Sequence, residues 1–287
     1  MDLKTLEETP PWEWPKDTDK MLLNILRKGR MDEADRLIAV RLAGESTIIN
    51  DDLARALLAI AQNDKEDQEV RCSAAIALGP ALEQADMMGF EEEDYIVISE
   101  DLFRSLQSSL QKLYMNADLP KDVRRAVLEA AVRAPQQWQH EAVRAAYAGR
   151  DDDWRLTAVF CMGYLDGFDV QIMEALRSDD PDMHYHAVCA AGNWEVNDAW
   201  PHIAELVRSD ATEKELRLAA IGALAGMRPE ESAAILNELI DSDDEDIVEA
   251  VFEALAMSGG LSDFEEGEYE DGDFEGDDSE EDNRGNR

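Results

Sequence analysis

The stretch LRLAAIGALA, at residues 216–225, decides the fold because its pattern returns through most of the chain. An apolar anchor opens each copy and Arg usually follows it. Small residues, mostly Ala, fill the next two helical turns, and Gly or Ala often closes the copy. The six anchors are Val70, Val123, Trp154, Met183, Leu216 and Ile247, spaced by 53, 31, 29, 33 and 31 residues. A fixed period of this length predicts an array of helical repeats in which each unit contacts mainly its neighbours.

Each unit is predicted to contain two helices. The first carries the repeated pattern, and an acidic residue marks its start, as at Asp151, Asp180 and Asp244, because Asp accepts backbone N–H groups at a helix N-cap. The second is amphipathic, as at residues 170–177, 200–208 and 233–240. Small residues in the first helix allow neighbouring helices to approach closely, so a bulky residue there would overpack the core.

The ends of the array differ from its centre. Helices predicted near residues 19–26, 31–43 and 48–62 form capping units, so we place capping helices in 19–66 and repeats in 67–257 of a solenoid spanning 19–262. Residues 1–18 are expected to be extended because prolines surround Trp12 and Trp14. The irregular spacing of 53 predicts an inserted loop at 84–101. The acidic segment 263–287 is predicted to be disordered.

The charge is very acidic. Asp and Glu number 66 against 27 Lys and Arg, a net charge of −39, to which residues 263–287 contribute −11. Such a surface repels nucleic acid and anionic lipid and attracts cationic partners, although solubility alone would account for it equally well. The cysteines Cys72, Cys161 and Cys189 form no CxxC pair and are expected to be reduced. No signal peptide or membrane span is predicted, so we expect a cytoplasmic protein.

On these positions the chain resembles the HEAT-repeat superfamily, and in particular the bacterial HEAT-like units also found in phycobilisome lyases. The resemblance implies an all-α fold, a right-handed α-solenoid whose second helices line a concave surface, and a role in binding proteins or peptides. It also implies that the Arg after each anchor braces the turn between repeats. Arg71, Arg124, Arg155 and Arg217 match this pattern, whereas His184 and Val248 depart from it.

No motif points clearly to catalysis. His184 and His186 lie two residues apart, so their rings point away from each other on a helix. His140-Glu141 resembles the iron-binding pairs of the HEAT-repeat deoxyhypusine hydroxylase, but that family needs several such pairs. The acidic run 241–246 lacks the Gly and Glu of a calcium-binding EF-hand, and N-capping explains it better. We therefore expect neither a metal nor a cofactor, and no enzyme.

Aromatic residues are the candidate partner-binding residues: Trp12, Trp14, Trp194, Trp200, Phe264, Tyr269 and Phe274. The leading hypothesis is a non-catalytic scaffold that binds a basic protein or peptide through its concave face and acidic tail. In a second hypothesis the tail only solubilises the protein, and the body binds an acidic or neutral partner through its ridge. The alternative is an enzyme or enzyme subunit similar to a phycobilin lyase. The two N-terminal tryptophans could simply pack over the end of the solenoid, and the other two could simply fill a turn.

Overall fold

The computed structural model describes residues 2–28, 32–91 and 96–257, and all regular secondary structure in these ranges is helical. The sixteen α-helices follow one another as α1 (Leu3–Glu7), α2 (Thr18–Arg27), α3 (Glu33–Ala43), α4 (Asp51–Gln62), α5 (Gln68–Ile76), α6 (Gly79–Met88), α7 (Glu100–Met115), α8 (Lys121–Ala131), α9 (Gln137–Ala148), α10 (Asp152–Met162), α11 (Asp169–Ala175), α12 (Pro181–Asn193), α13 (Trp200–Arg208), α14 (Lys214–Ala225), α15 (Pro229–Asn237) and α16 (Glu245–Met257). Short 3₁₀ helices occupy Pro11–Glu13 and Asn197–Ala199. The predicted all-helical solenoid is confirmed.

The repeated pattern forms the first helix of each unit, in the order α3, α5, α8, α10, α12, α14 and α16. Acidic N-caps start several of them as predicted: Asp151 accepts from the Trp154 N–H, Asp180 from the Met183 N–H, and Asp244 from the Asp246 N–H. Consecutive first helices pack directly against one another. Each first helix also packs against the second helix that precedes it, so the stack is continuous.

The first helices form the more closely spaced of the two layers. A Cβ added to Gly192 would lie 2.5 Å from the Cα of Ala223, and one added to Gly44 would lie 2.6 Å from the Ala77 carbonyl oxygen. Consecutive second helices, by contrast, make few contacts with each other. Neighbouring helices lie closer on the inside of a curved stack, so the first helices form the inner, concave layer. The expectation that the second helices line the concave surface is therefore wrong.

Arginine braces recur from repeat to repeat. The Arg71 Nε donates to the Ala61 carbonyl at 3.1 Å, Arg124 to Tyr114 at 3.0 Å and Arg217 to Val207 at 2.9 Å, in each case ten residues earlier. These carbonyls lie in the last turn of the preceding second helix, where helical partners are missing. Arg155 instead lies over the Tyr147 ring, 5.4 Å from its centroid.

A seventh copy of the pattern lies in α3. The Arg36 Nη1 donates to the Leu26 carbonyl, also ten residues earlier, and its guanidinium forms a buried ion pair with Glu66 at 2.7 Å. Gly44 closes this copy and approaches Ala77 as Gly192 approaches Ala223. The sequence pattern missed it because Asp35 replaces the apolar anchor.

The region around the irregular spacing contains an additional helix. The predicted loop at 84–101 begins at Gly89, because residues 84–88 belong to α6, which directly follows α5. Ala81, Leu82 and Ala85 of α6 are buried, and this burial accounts for the helix. α7 then starts at Glu100, with Ser99 accepting the Leu102 N–H as its cap. Residues 92–95 of the predicted loop lie outside the described residues.

The amino-terminal segment is less extended than predicted. Residues Leu3–Glu7 form α1, which the Asp2 carboxylate caps by accepting the Thr5 N–H. α1 buries Leu3 and Leu6 against the core and packs on α3. Extended dihedral angles are found at Asp2, Pro10 and Trp14. The helix forms because this burial offsets the cost of ordering so short a segment.

Candidate protein-binding surface

The two N-terminal tryptophans occupy different environments. The Trp14 indole N–H donates to the Thr9 carbonyl at 2.8 Å and to the Leu6 carbonyl at 3.1 Å, and its ring packs against the N-terminal core. Trp12, in contrast, is 78% exposed. Trp14 is therefore a packing residue of the N-terminal cap, and only Trp12 is free to contact a partner.

Trp194 and Trp200 flank the 3₁₀ turn at Asn197–Ala199. The Trp194 indole N–H donates to the Met162 carbonyl of the preceding repeat at 2.7 Å, and 39% of the residue remains exposed. Trp200 packs against the core, with the Arg228 guanidinium 5.3 Å from its ring centroid. Both residues thus have structural contacts, and Trp194 also presents an exposed ring surface. The tail aromatics Phe264, Tyr269 and Phe274 lie outside the described residues.

The histidines are arranged for packing and hydrogen bonding. As predicted, the rings of His184 and His186 point in different directions. His184 reaches the second helix α13, where its Nε2 lies 2.7 Å from the Nε2 of His202. His186 packs edge-on against Phe160 at 5.4 Å. Burial lowers the pKa of each of these three histidines below the ordinary 6.5, so the neutral form is favoured.

The other polar groups that could suggest chemistry also have structural partners. The His140 Nε2 lies 3.0 Å from an oxygen of Asp166, and its ring stacks on Phe168. All three cysteines are free. Burial raises the pKa of the Cys72 thiol to about 11, which disfavours a reactive thiolate. Within the described ranges, no group of three or more His, Cys, Asp or Glu side chains is placed to hold a metal ion.

An acidic residue stands immediately before the anchor of every repeat identified in the sequence. These residues are Glu69, Asp122, Asp153, Asp182, Glu215 and Asp246. Lys121 neutralises Asp153, and Lys214 bonds both Asp244 and Asp246. Among the described residues, Glu69, Asp182 and Glu215 form no ion pair; the last two are neighbours in the row, so the negative charge is least compensated between α12 and α14. We call this row the acidic ladder.

A groove crosses the inner layer at the carboxyl-terminal end of the ladder. It has a volume of about 540 Å³, and its walls come from three consecutive first helices, α12, α14 and α16. Tyr185, Leu218, Ala219 and Gly222 provide uncharged surface. Glu215, Asp246, Glu249 and Glu253 provide carboxylates, and no Lys or Arg in the described part of the chain lines it. We call it the inner groove.

The groove continues toward the preceding repeat past Tyr185. A second depression of about 290 Å³ shares Tyr185 and Glu215 with it and adds Asp182 and His186. The Tyr185 and His186 rings meet edge-on at 5.4 Å. Aromatic faces beside carboxylates favour cations, because the ring quadrupole and the negative charge both attract positive groups.

The middle of the inner layer is occupied by its own charged groups. The Arg125 Nε donates to the Thr157 hydroxyl at 2.9 Å, and this hydroxyl donates to the Glu129 carboxylate at 2.7 Å. Burial raises the pKa of Glu129. Arg133 pairs with Glu83 at 2.5 Å and lies 5.1 Å from the Tyr164 ring centroid. Arg125 and Arg133 already bond groups of the protein itself, so this region has less free negative charge for a partner than the inner groove has.

Sequence reasoning missed the residues that line the inner groove. Tyr185 and Leu218 both follow their repeat anchors by two positions, and Gly222 follows its anchor by six. These fixed positions after the anchor define the face of the first helix that lines the groove. The sequence alone did not identify this face as a binding surface because the first helices were expected to form the outer layer.

Part of the chain that contains the inner groove matches a known family of repeats. The family model described as HEAT repeats matches residues 170–256. This match and the recurring contacts of the first helices confirm the resemblance to HEAT repeats. The inner groove lies within the matched region, apart from the terminal Met257. Residues 170–256 thus match HEAT repeats, and the described helices form an α-solenoid in which this matched region is the carboxyl-terminal part.

A search of solved structures also finds a similar chain. The chain is similar to a chain in the complex of CpcE and CpcF of phycocyanin lyase from Nostoc sp. PCC7120, with 16% sequence identity and a TM-score of 0.47. The match covers 88% of this chain and 98% of that chain. A search of curated proteins finds no match. Among the described residues, none of the helices combines the length and apolar character needed to cross a bilayer.

Proposed function

We propose that this protein is a non-catalytic scaffold that binds a protein partner through a basic segment lying in the inner groove. One observation carries the proposal: three successive first helices surround an uncharged floor with carboxylates, and no lining residue is a cation. A basic segment would neutralise Glu215, Glu249 and Glu253, since Lys214 already pairs with Asp246, while its apolar atoms cover Leu218 and Tyr185. Long-range attraction by the acidic body would also accelerate association.

Gly222 allows the groove to be blocked without disturbing the fold. No atom lies within 4 Å of a Cβ added at this position, and the residue is exposed within α14. Arginine at this position would fill the groove and pair with its carboxylates, whereas alanine would add one methyl group. Gly222→Arg and Gly222→Ala are therefore a matched pair, since both replace glycine by a better helix former.

The test is affinity capture of partners from cell extract on immobilised wild-type protein and on the two variants. We expect wild type and Gly222→Ala to retain a set of basic proteins that Gly222→Arg does not retain. These proteins should elute at about 1 M salt, where charge–charge interactions are screened beyond roughly 3 Å. Identical captured sets for all three proteins at low and high salt would contradict the proposal. A chromophore that co-purifies with the protein and absorbs visible light would favour the enzyme alternative.

The acidic tail is proposed to assist by attracting the same partner, with Phe264, Tyr269 and Phe274 as contact residues. Removing residues 263–287 should then weaken capture, while Gly222→Arg should abolish it. Unchanged capture by the truncated protein would support the second hypothesis, in which the tail only keeps the protein soluble.

A further inference from the structure

A second groove lies on the opposite layer, between α11 and the segment Trp194–Asp198 that leads into α13. It has a volume of about 820 Å³. α11 has only seven residues, and consecutive second helices make few contacts, so the space between α11 and the following turn stays open. We call it the outer groove.

The floor of the outer groove is apolar and exposed. Val170 is 77% exposed, Met173 lies one helical turn further along the same face of α11, and the Trp194 ring forms the facing wall. The hydrogen bond from the Trp194 indole to the Met162 carbonyl fixes that ring in place. A partner that covers this ring would therefore lose little side-chain entropy from the protein.

Carboxylates surround the apolar floor. Asp169, Glu174, Glu195 and Asp198 line the groove, with Arg177 as the single cation. Asp169, Glu195 and Asp198 have no ion pair or side-chain hydrogen bond among the described contacts. Their charge is thus available to a ligand.

Glu195 also has an unusual backbone conformation. Glu195 has a left-handed conformation with φ of 49°, and Arg228 has the same conformation one repeat later, with φ of 42°. Glycine would suit both positions better. Arg228 uses its side chain to cover Trp200 and to reach Asn197 at 3.4 Å. Glu195 has no comparable partner among the residues that the structure describes, and its side chain lies at the groove.

We propose that the outer groove binds a basic amphipathic segment of a protein partner. Its apolar side chains would cover Val170 and Trp194, and its Lys or Arg side chains would face Asp169, Glu195 and Asp198. A second copy of the chain and the acidic segment 263–287 are disfavoured as occupants, because both would bring more negative charge to a negative rim. An anionic membrane surface is disfavoured for the same reason.

The probe is a fluorescein-labelled, 14-residue amphipathic helical peptide of Leu and Lys, titrated with the full-length protein and followed by anisotropy. The charge variant is Glu195→Lys/Asp198→Lys. Its matched control is Asp64→Lys/Asp118→Lys, which makes the same change of net charge at exposed turn residues far from the groove. Val170→Ser removes the apolar floor without any change of charge.

We expect the groove charge variant to bind the peptide about tenfold more weakly, because two attractive contacts become repulsive. Val170→Ser should bind about threefold more weakly, and the control should stay within about twofold of wild type. The Trp194 indole N–H signal should shift on titration in a ¹H–¹⁵N spectrum. The same peptide with Glu in place of Lys should not bind.

Two results would overturn the proposal. Equal weakening by the control and the groove variant would mean that the peptide responds only to net charge. An unchanged affinity in Val170→Ser would mean that the apolar floor is not contacted. Gly222→Arg leaves the outer groove intact, so the Trp194 indole signal should still shift on titration of this variant, and this local readout lets the inner-groove and outer-groove proposals fail independently.

Discussion

Two glycines of the first helices should respond to the same substitution with opposite signs. Gly192, near the end of α12, faces the next first helix so closely that an added Cβ would lie 2.5 Å from the Ala223 Cα and 2.6 Å from its Cβ. Gly222, within α14, would place a new Cβ in open space. Gly192→Ala and Gly222→Ala thus separate close packing from helix propensity.

The magnitudes follow from these distances. Gly222→Ala should stabilise the protein by about 0.5–1 kcal/mol, the helix propensity difference between the two residues. Gly192→Ala should gain part of that propensity but lose about 1–3 kcal/mol by overpacking, because the nearest atoms belong to backbone that cannot rotate away. Ala223→Gly should not rescue Gly192→Ala, since the Ala223 Cα remains at 2.5 Å.

Thermal and urea unfolding, followed by circular dichroism at a helix wavelength, measures both variants against wild type. The two variants differ by about 1–4 kcal/mol on these figures. At roughly 2–4 °C per kcal/mol for a chain of this size, their melting temperatures should differ by about 2–16 °C. Equal stabilities for Gly192→Ala and Gly222→Ala would refute the close approach of the first helices. Full rescue by Ala223→Gly would show that only the methyl groups clash.

Two further predictions concern buried polar groups. Thr157→Val should destabilise the protein by about 1–3 kcal/mol in urea unfolding, because the Glu129 carboxylate loses its hydroxyl donor. Thr157→Ser keeps the hydroxyl and should cost less. A Thr157→Val variant as stable as wild type would show that this hydrogen bond does not stabilise the fold. Burial lowers the pKa values of His184 and His202, so the unfolded chain binds protons more readily than the folded one. The stability that the two neutral rings contribute therefore declines as pH falls below about 6.5. His202→Gln should therefore show a shallower loss of stability than wild type between pH 7 and pH 5 in the same assay; parallel profiles would contradict this account.

The sequence predicted the solenoid because its evidence is local and repeated. The anchors, the small residues and the acidic caps each have a physical role within one or two helical turns. The structure contains all three at α5, α10, α12, α14 and α16, whereas α8 has Pro120 at its N-cap. The copy in α3 was missed because Asp35 occupies the anchor position. α6 was missed because it lacks the repeated pattern, and its burial depends on α7 and α8.

The candidate sites were harder to predict. A sequence shows which face of a helix is apolar, but it does not show how closely equivalent helices of successive repeats approach each other. That spacing decides which layer is concave, and hence that Tyr185 and Leu218 line the inner groove. The contact between His184 and His202 joins two helices of one repeat across 18 residues, and no spacing rule within a single helix reveals it.

The close packing of the first helices has a mechanical consequence. Glycine–alanine contacts such as Gly44–Ala77 and Gly192–Ala223 leave the inner layer no room to shorten, whereas the second helices have space between them. The solenoid should therefore bend by changing the spacing of the second helices, while the first helices keep theirs. A ligand wedged beside α11 would spread the outer layer and increase the curvature of the solenoid. This would narrow the inner groove, so the two sides of the molecule are coupled through its elasticity.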